Sequence, residues 1–156
     1  MEKAKYSAEL IADYLIYKAS KDGKKLSNKK LQKLLYYSQA WNLVFNGGPL
    51  FYQDIEAWVH GPAVREIYLK YKKFGYGYID QNVSDDIQNK IKENDLLDEV
   101  MRFYGKFDAE YLEELTHNEL PWQKAREGLD IDSLSDNVIS IDLMKEYYGQ
   151  KLAEAK

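Results

Sequence analysis

Apolar side chains recur along most of this chain at helical intervals. After Ser7, an N-cap residue by type, Leu10, Ile11, Tyr14 and Leu15 fall on one face until Asp22-Gly23 breaks the pattern, which predicts a first helix. Ser27 repeats the cap signal, because its hydroxyl can accept from an unpaired amide of the following turn. Leu31, Leu34, Leu35, Ser38, Trp41, Asn42 and Phe45 then follow at i, i+3, i+4 and i+7 spacings, and Tyr37 and Val44 widen the stripe. That breadth makes the second helix the predicted centre of the core. Asn46-Gly47-Gly48-Pro49 closes it, glycine supplying a left-handed cap and proline preventing continuation.

From Leu50 to His60 the period shortens to two: Phe51, Ile55, Ala57 and Val59 alternate with Tyr52, Asp54, Glu56, Trp58 and His60. This predicts one short strand or extended segment. Gly61-Pro62 is expected to break it, with proline at the first position of a third helix that carries Val64, Ile67, Tyr68 and Tyr71 and ends at Gly75. Tyr76 to Ile79 reads as a loop or a short second strand. Ser84-Asp85-Asp86 caps a further helical stretch, broken near Asn94-Asp95 and continued by Leu97, Val100, Met101 and Tyr104. Asp108, Pro121 and Ser140 mark three more helix starts. The expected fold is mainly α: a compact single domain of about six to seven helices over residues 1–150, with a minor β element, a short strand or hairpin, near residues 50–60. Residues 151–156 are expected to fray.

A length of 156 residues suits one domain, and 45% apolar with 31% charged residues excludes collagenous, low-complexity and largely disordered classes. The densest apolar stretch, Leu34 to Phe45, is interrupted by Ser38, Gln39 and Asn42, so no membrane span is expected. MEKAKYSAEL has no apolar core of a secretory signal. The absence of cysteine excludes disulfides, thiolate metal sites and cysteine nucleophiles, and a reducing cytoplasm is the expected location. The net charge of −4 hides an asymmetry: residues 1–75 hold 13 Lys or Arg against 7 Asp or Glu, and residues 76–156 hold 9 against 19. Either the halves attract each other on folding or each faces a different partner.

Alternation places Glu56, Trp58 and His60 on one side, where a carboxylate and an imidazole can serve as an acid–base pair. The same residues can instead pack and hydrogen-bond to fix the turn that follows. His117, with Glu56, His60 and Glu119, supplies the residue types of a metal site or a hydrolase, though the spacing does not demand one. No nucleotide-binding glycine loop, serine-hydrolase elbow or HExxH signature is present. Neither a catalytic residue nor a metal or other cofactor is therefore assigned. Lys21, Lys24, Lys25, Lys29, Lys30 and Lys33 cluster between the first two helices, and Tyr36, Tyr37, Tyr68, Tyr71, Tyr76 and Tyr78 flank further lysines. Together they offer a second reading, a nucleic-acid-binding regulator, which an acidic pI near 5.3 and an apolar second helix oppose. Tyrosine-rich surfaces also mark protein interfaces.

KLQKLLYYSQAW (30–41), GPLFYQDIEAWVHGPAVREIY (48–68), LTHNELPWQKA (115–125) and an aliphatic-led last helix ending in Tyr147-Tyr148 resemble, in order, the Panacea or SocA-like antitoxin domain of phage-associated proteins. The motif positions are Leu31, Lys33, Leu34, Tyr36 and Trp41 in the second helix, with Pro49 and Leu50 after it. Glu56, Ala57, Trp58, His60, Gly61, Pro62, Val64 and Tyr68 lie around the β element, and Thr116, His117, Pro121 and Trp122 near the third block. Arg65 stands where many relatives are expected to carry a second proline. The resemblance implies a non-enzymatic antitoxin that binds a toxin encoded by an adjacent gene, either blocking it directly or delivering it to an ATP-dependent protease. Most motif residues are expected to be structural, Trp58 and Trp122 among them as core. Lys29, Lys30, Lys33, Tyr36, Tyr71, Tyr76 and Tyr78 are the candidate partner-binding residues.

Overall fold

In the computed structural model, residues 3–155 are described. Their helices are α1 (Ala8–Lys21), α2 (Asn28–Asn46), α3 (Arg65–Tyr71), α4 (Asn94–Tyr104), α5 (Ala109–His117), α6 (Leu120–Ala125) and α7 (Ile141–Ala155), with a hairpin of β1 (Glu56–Trp58) and β2 (Gly61–Ala63) between α2 and α3. Short 3₁₀ turns occupy Lys72–Phe74 and Asp85–Asn89.

The predicted caps form. Ser7 Oγ accepts from Leu10 N, Ser27 Oγ from Lys30 N, Asp108 from Tyr111 N and Ser140 Oγ from Leu143 N. Gly47 closes α2 at φ 86°, a backbone conformation that other residues adopt at a cost. The central helix α2 packs against α1, α3, α4, α5, α7 and β2. Leu31, Leu34, Leu35, Tyr36, Tyr37 and Leu43 are all buried in the one apolar cluster that also takes residues from α1, α4, α5 and α7. Several polar residues of α2 are buried too, and they satisfy the backbone of neighbouring segments. Gln39 accepts from Leu50 N and donates to Phe51 O, Asn42 donates to Gly48 O, and Asn28 donates to Tyr68 O. Phe45, at the end of the stripe, is exposed and stacks on Trp41.

The minor β element expected near residues 50–60 is present as the β1–β2 hairpin: Glu56–Trp58 is the strand within that segment, with a single further bridge between Phe51 and Tyr6. One expectation needs correction. Pro62 does not open α3; it sits in β2 opposite Ala57, and the helix begins at Arg65. Proline fits there because a two-strand sheet leaves each strand an outer edge that needs no donor from it. The last helix, α7, includes Lys151 to Ala155. Met1, Glu2 and Lys156 lie outside the described residues.

The charge asymmetry is partly resolved inside the fold. Lys18 pairs with Asp98, Lys21 with Asp85, Lys25 with Asp80, and Lys29 with Glu113, so part of the basic first half meets the acidic second half.

Candidate partner-binding cleft

The family-type motif residues converge on the β1–β2 hairpin and hold it from every side. Trp58 pairs with Gly61 across a two-residue turn, Val59-His60. Gly61 adopts φ 109°, and a Cβ there would lie 2.5 Å from Lys33 Cε and 3.2 Å from Thr116 Oγ1. Only glycine lets the turn lie against α2 and α5. The outer edge of β2 is completed by side chains of α2: Gln32 Oε1 accepts from Val64 N at 2.8 Å and Lys33 Nζ donates to Pro62 O at 3.2 Å. On the other side, Ala57 N donates to Asn137 O and Ile139 N to Ile55 O. Trp122 Nε1 donates to Trp58 O at 2.9 Å, and the buried Arg126 donates to Ala57 O at 2.9 Å.

Arg126 also organises the segment after α6. Its Nη2 reaches the carbonyls of Asp130, Ile131 and Ser133, the last at 2.7 Å. The result is an ordered loop, 127–139, that carries acidic residues and presents Leu134 to solvent at 92% exposure. Apolar residues scattered without period among aspartates gave no helix or strand signal. That aperiodicity was the available sign that Leu129, Ile131 and Leu134 are not core.

A cleft of about 950 Å³ opens between this loop, the hairpin turn, the N-terminal turn of α2, and α3. Trp58, Tyr68 and Leu134 supply apolar wall, Tyr76 stands at the mouth, and Lys33 lines the interior. Trp58 is therefore not core but partly buried wall. Its ring meets Tyr68 edge-on, its Nε1 donates to Glu56, and the Arg65 guanidinium lies 5.4 Å from its centre.

The candidate chemical residues have separate partners. Glu56 is gripped by Arg65 at 2.7 Å and by Trp58. Burial alone would raise its pKa, but these contacts outweigh it and hold the carboxyl below its ordinary value. His60 turns to Glu113 at 3.4 Å. His117 stacks on Trp122 with centroids 4.0 Å apart, and burial lowers its pKa. Glu119 is buried elsewhere, accepting from Tyr37 at 2.6 Å and from Tyr148 at 2.8 Å, and Tyr148 also bonds Tyr36. Glu56 and His60 thus form no acid–base pair. Among the described residues no group of three or more His, Asp or Glu is placed to hold a metal ion.

The expected partner-binding residues divide. Tyr36 and Tyr71 are buried in the core and offer a partner nothing. Lys30 is tied to Gly105 O and Lys29 to Glu113. Tyr76 and Tyr78 are exposed. Lys33 is only 3% exposed, yet it borders the cleft. Leu134 and Asp136, at the cleft's other wall, were not among the expected residues.

Among the described residues, no helix is long and apolar enough to cross a membrane. Residues 31–123, which include Lys33, the hairpin, Thr116 and Trp122, match the family described as Antitoxin SocA-like, Panacea domain. The chain is also 29% identical over 133 residues to Antitoxin SocA of Caulobacter vibrioides (strain NA1000 / CB15N), an alignment covering 78% of this chain and 71% of that protein. No solved structure matches. With the match spanning α2 through α6 and the motif residues meeting around one hairpin, this chain belongs to the SocA-like antitoxin, or Panacea domain, family.

Proposed function

We propose that the protein is an antitoxin that acts by direct, non-enzymatic binding of a cognate toxin, with the cleft and its rim as the contact surface. The family gives the antitoxin role and implies a toxin partner. The observation that carries the contact surface is that two exposed side chains, Leu134 and Tyr76, line one cleft together with the aromatic rings of Trp58 and Tyr68. Exposed apolar side chains gathered around a cleft mark protein contacts. The engaged states of Glu56, His60 and Glu119 support binding rather than catalysis.

Growth rescue tests the role. Expression of this protein at matched level with the product of the neighbouring gene is expected to relieve growth arrest, and the two are expected to co-purify in near-equal amount. Failure of both sinks the reading. Measuring the toxin's half-life during rescue separates the two modes of neutralisation: an unchanged half-life indicates occlusion, a shortened one delivery to an ATP-dependent protease.

A further inference from the structure

We propose that the cleft receives a short peptide segment of the toxin, and that an Asp or Glu side chain of that segment pairs with Lys33. This rests on the antitoxin reading and specifies its contact chemistry.

The charge balance within the cleft points to the carboxylate. Lys29 and Arg65, the other lysine and arginine of the lining, each have a carboxylate partner, Glu113 and Glu56. Lys33 forms no ion pair among the described residues and donates to a single acceptor, the Pro62 carbonyl. An ammonium offers three donors, and the nearby Glu113 carboxylate acts on it from beyond ion-pair distance, so burial is costly and the remaining donors beside an open cleft are completed from outside the chain. Gly61 keeps the space around it, since a Cβ at that position would meet Lys33 Nζ at 3.1 Å. One unpaired cation suits one carboxylate. A nucleic acid backbone needs several, and the lining offers one.

The walls point to a peptide. A volume of about 950 Å³ lies at the upper end of the ~300–1,000 Å³ typical of small-ligand pockets, enough for a few residues of peptide chain. Trp58, Tyr68 and Leu134 line it with Lys33 and give such a segment apolar contact.

Burial lowers the Lys33 pKa to about 7. The charged groups facing it are Glu113 of α5, which favours its protonation, and Lys29 of α2, which opposes it. His117 at the end of α5 also faces it. Pairing with a carboxylate restores the charged form, so binding takes up a proton and weakens as pH rises above 7.

The test is a double-mutant cycle with the purified neighbouring gene product as probe. Lys33→Met keeps the apolar stem and removes the charge. It is expected to weaken binding at least tenfold at pH 6.5, to flatten the wild-type decline in affinity between pH 7 and 9, and to lose additivity with one Asp→Asn or Glu→Gln change in the toxin. Thermal melts establish that the variant is folded. Leu134→Asp, at a fully exposed position, is the second variant and is expected to weaken binding at least tenfold without lowering the melting temperature. Wild-type affinity in folded Lys33→Met, or in Leu134→Asp, overturns the proposal while leaving the antitoxin reading intact. So does coupling of Lys33 to the toxin's terminal carboxylate alone. No binding by the wild type overturns both.

Discussion

Gly61 shows how much one residue can carry. Its φ of 109° demands glycine, and an added Cβ would also lie 2.5 Å from Lys33 Cε, so that the lysine would have to move away from the turn. Gly61→Ala is expected to cost about 1–3 kcal/mol, the usual scale of local backbone strain, read as a lowered urea midpoint with unchanged slope. An unchanged midpoint would mean that the turn relaxes without loss. The glycine and the lysine were both visible in the sequence as motif members, but their mutual contact was not. They are 28 positions apart, and no periodic pattern links a helix residue to the turn of a distant hairpin. The tyrosines teach the same point: Tyr36 and Tyr76 are alike by type, yet one is buried and the other stands free, because only packing decides which ring of a tyrosine-rich chain is spent on the core.

At the scale of elements, two polar residues tie segments together. Glu119, between α5 and α6, accepts from Tyr37 of α2 and Tyr148 of α7. Burial raises its pKa above the ordinary 4.5. The folded state therefore holds the proton more tightly than the unfolded chain, a contribution present in full below about pH 4.5 and lost as pH rises through the raised value. Glu119→Gln keeps an acceptor but does not titrate. Paired melts from pH 4.5 to 8 are expected to show wild type losing ground to the variant as pH rises; parallel curves would refute the shift. Arg126 does the equivalent for the loop 127–139, and Arg126→Ala is expected to cost about 2–3 kcal/mol and to speed proteolytic cleavage within that loop at least tenfold. The helices themselves were legible, with starts at Ser7, Ser27, Asp108 and Ser140 and a stop at Gly47, because caps act within a few residues of the backbone they satisfy. The hairpin was half legible. Alternation marked an extended segment, but Gly-Pro reads locally as a break. It becomes a strand only because Gln32 and Lys33 of α2 complete its outer edge.

Across the whole molecule, the opposition of a basic and an acidic half is spent in part on itself. Lys21, Lys25 and Lys29, half of the cluster that suggested nucleic-acid binding, are paired with Asp85, Asp80 and Glu113. Fluorescence anisotropy with labelled DNA or RNA is expected to show no saturable binding near 150 mM salt. A steep fall in affinity between 50 and 200 mM salt would restore the regulator reading. The cleft has a further consequence for how such a protein can change over time. One of its walls, with Lys33, Trp58 and Tyr68, belongs to the stretch matched by the family, residues 31–123; the other, with Leu134 and Asp136, lies beyond it on a surface loop anchored chiefly through backbone carbonyls. Carbonyls are common to every residue, so exposed loop side chains such as Leu134 and Asp136 can vary while Arg126 keeps its grip. With the cleft as the proposed contact surface, a lineage can thus acquire a new adversary by rewriting a few exposed positions, leaving the folding of the rest untouched.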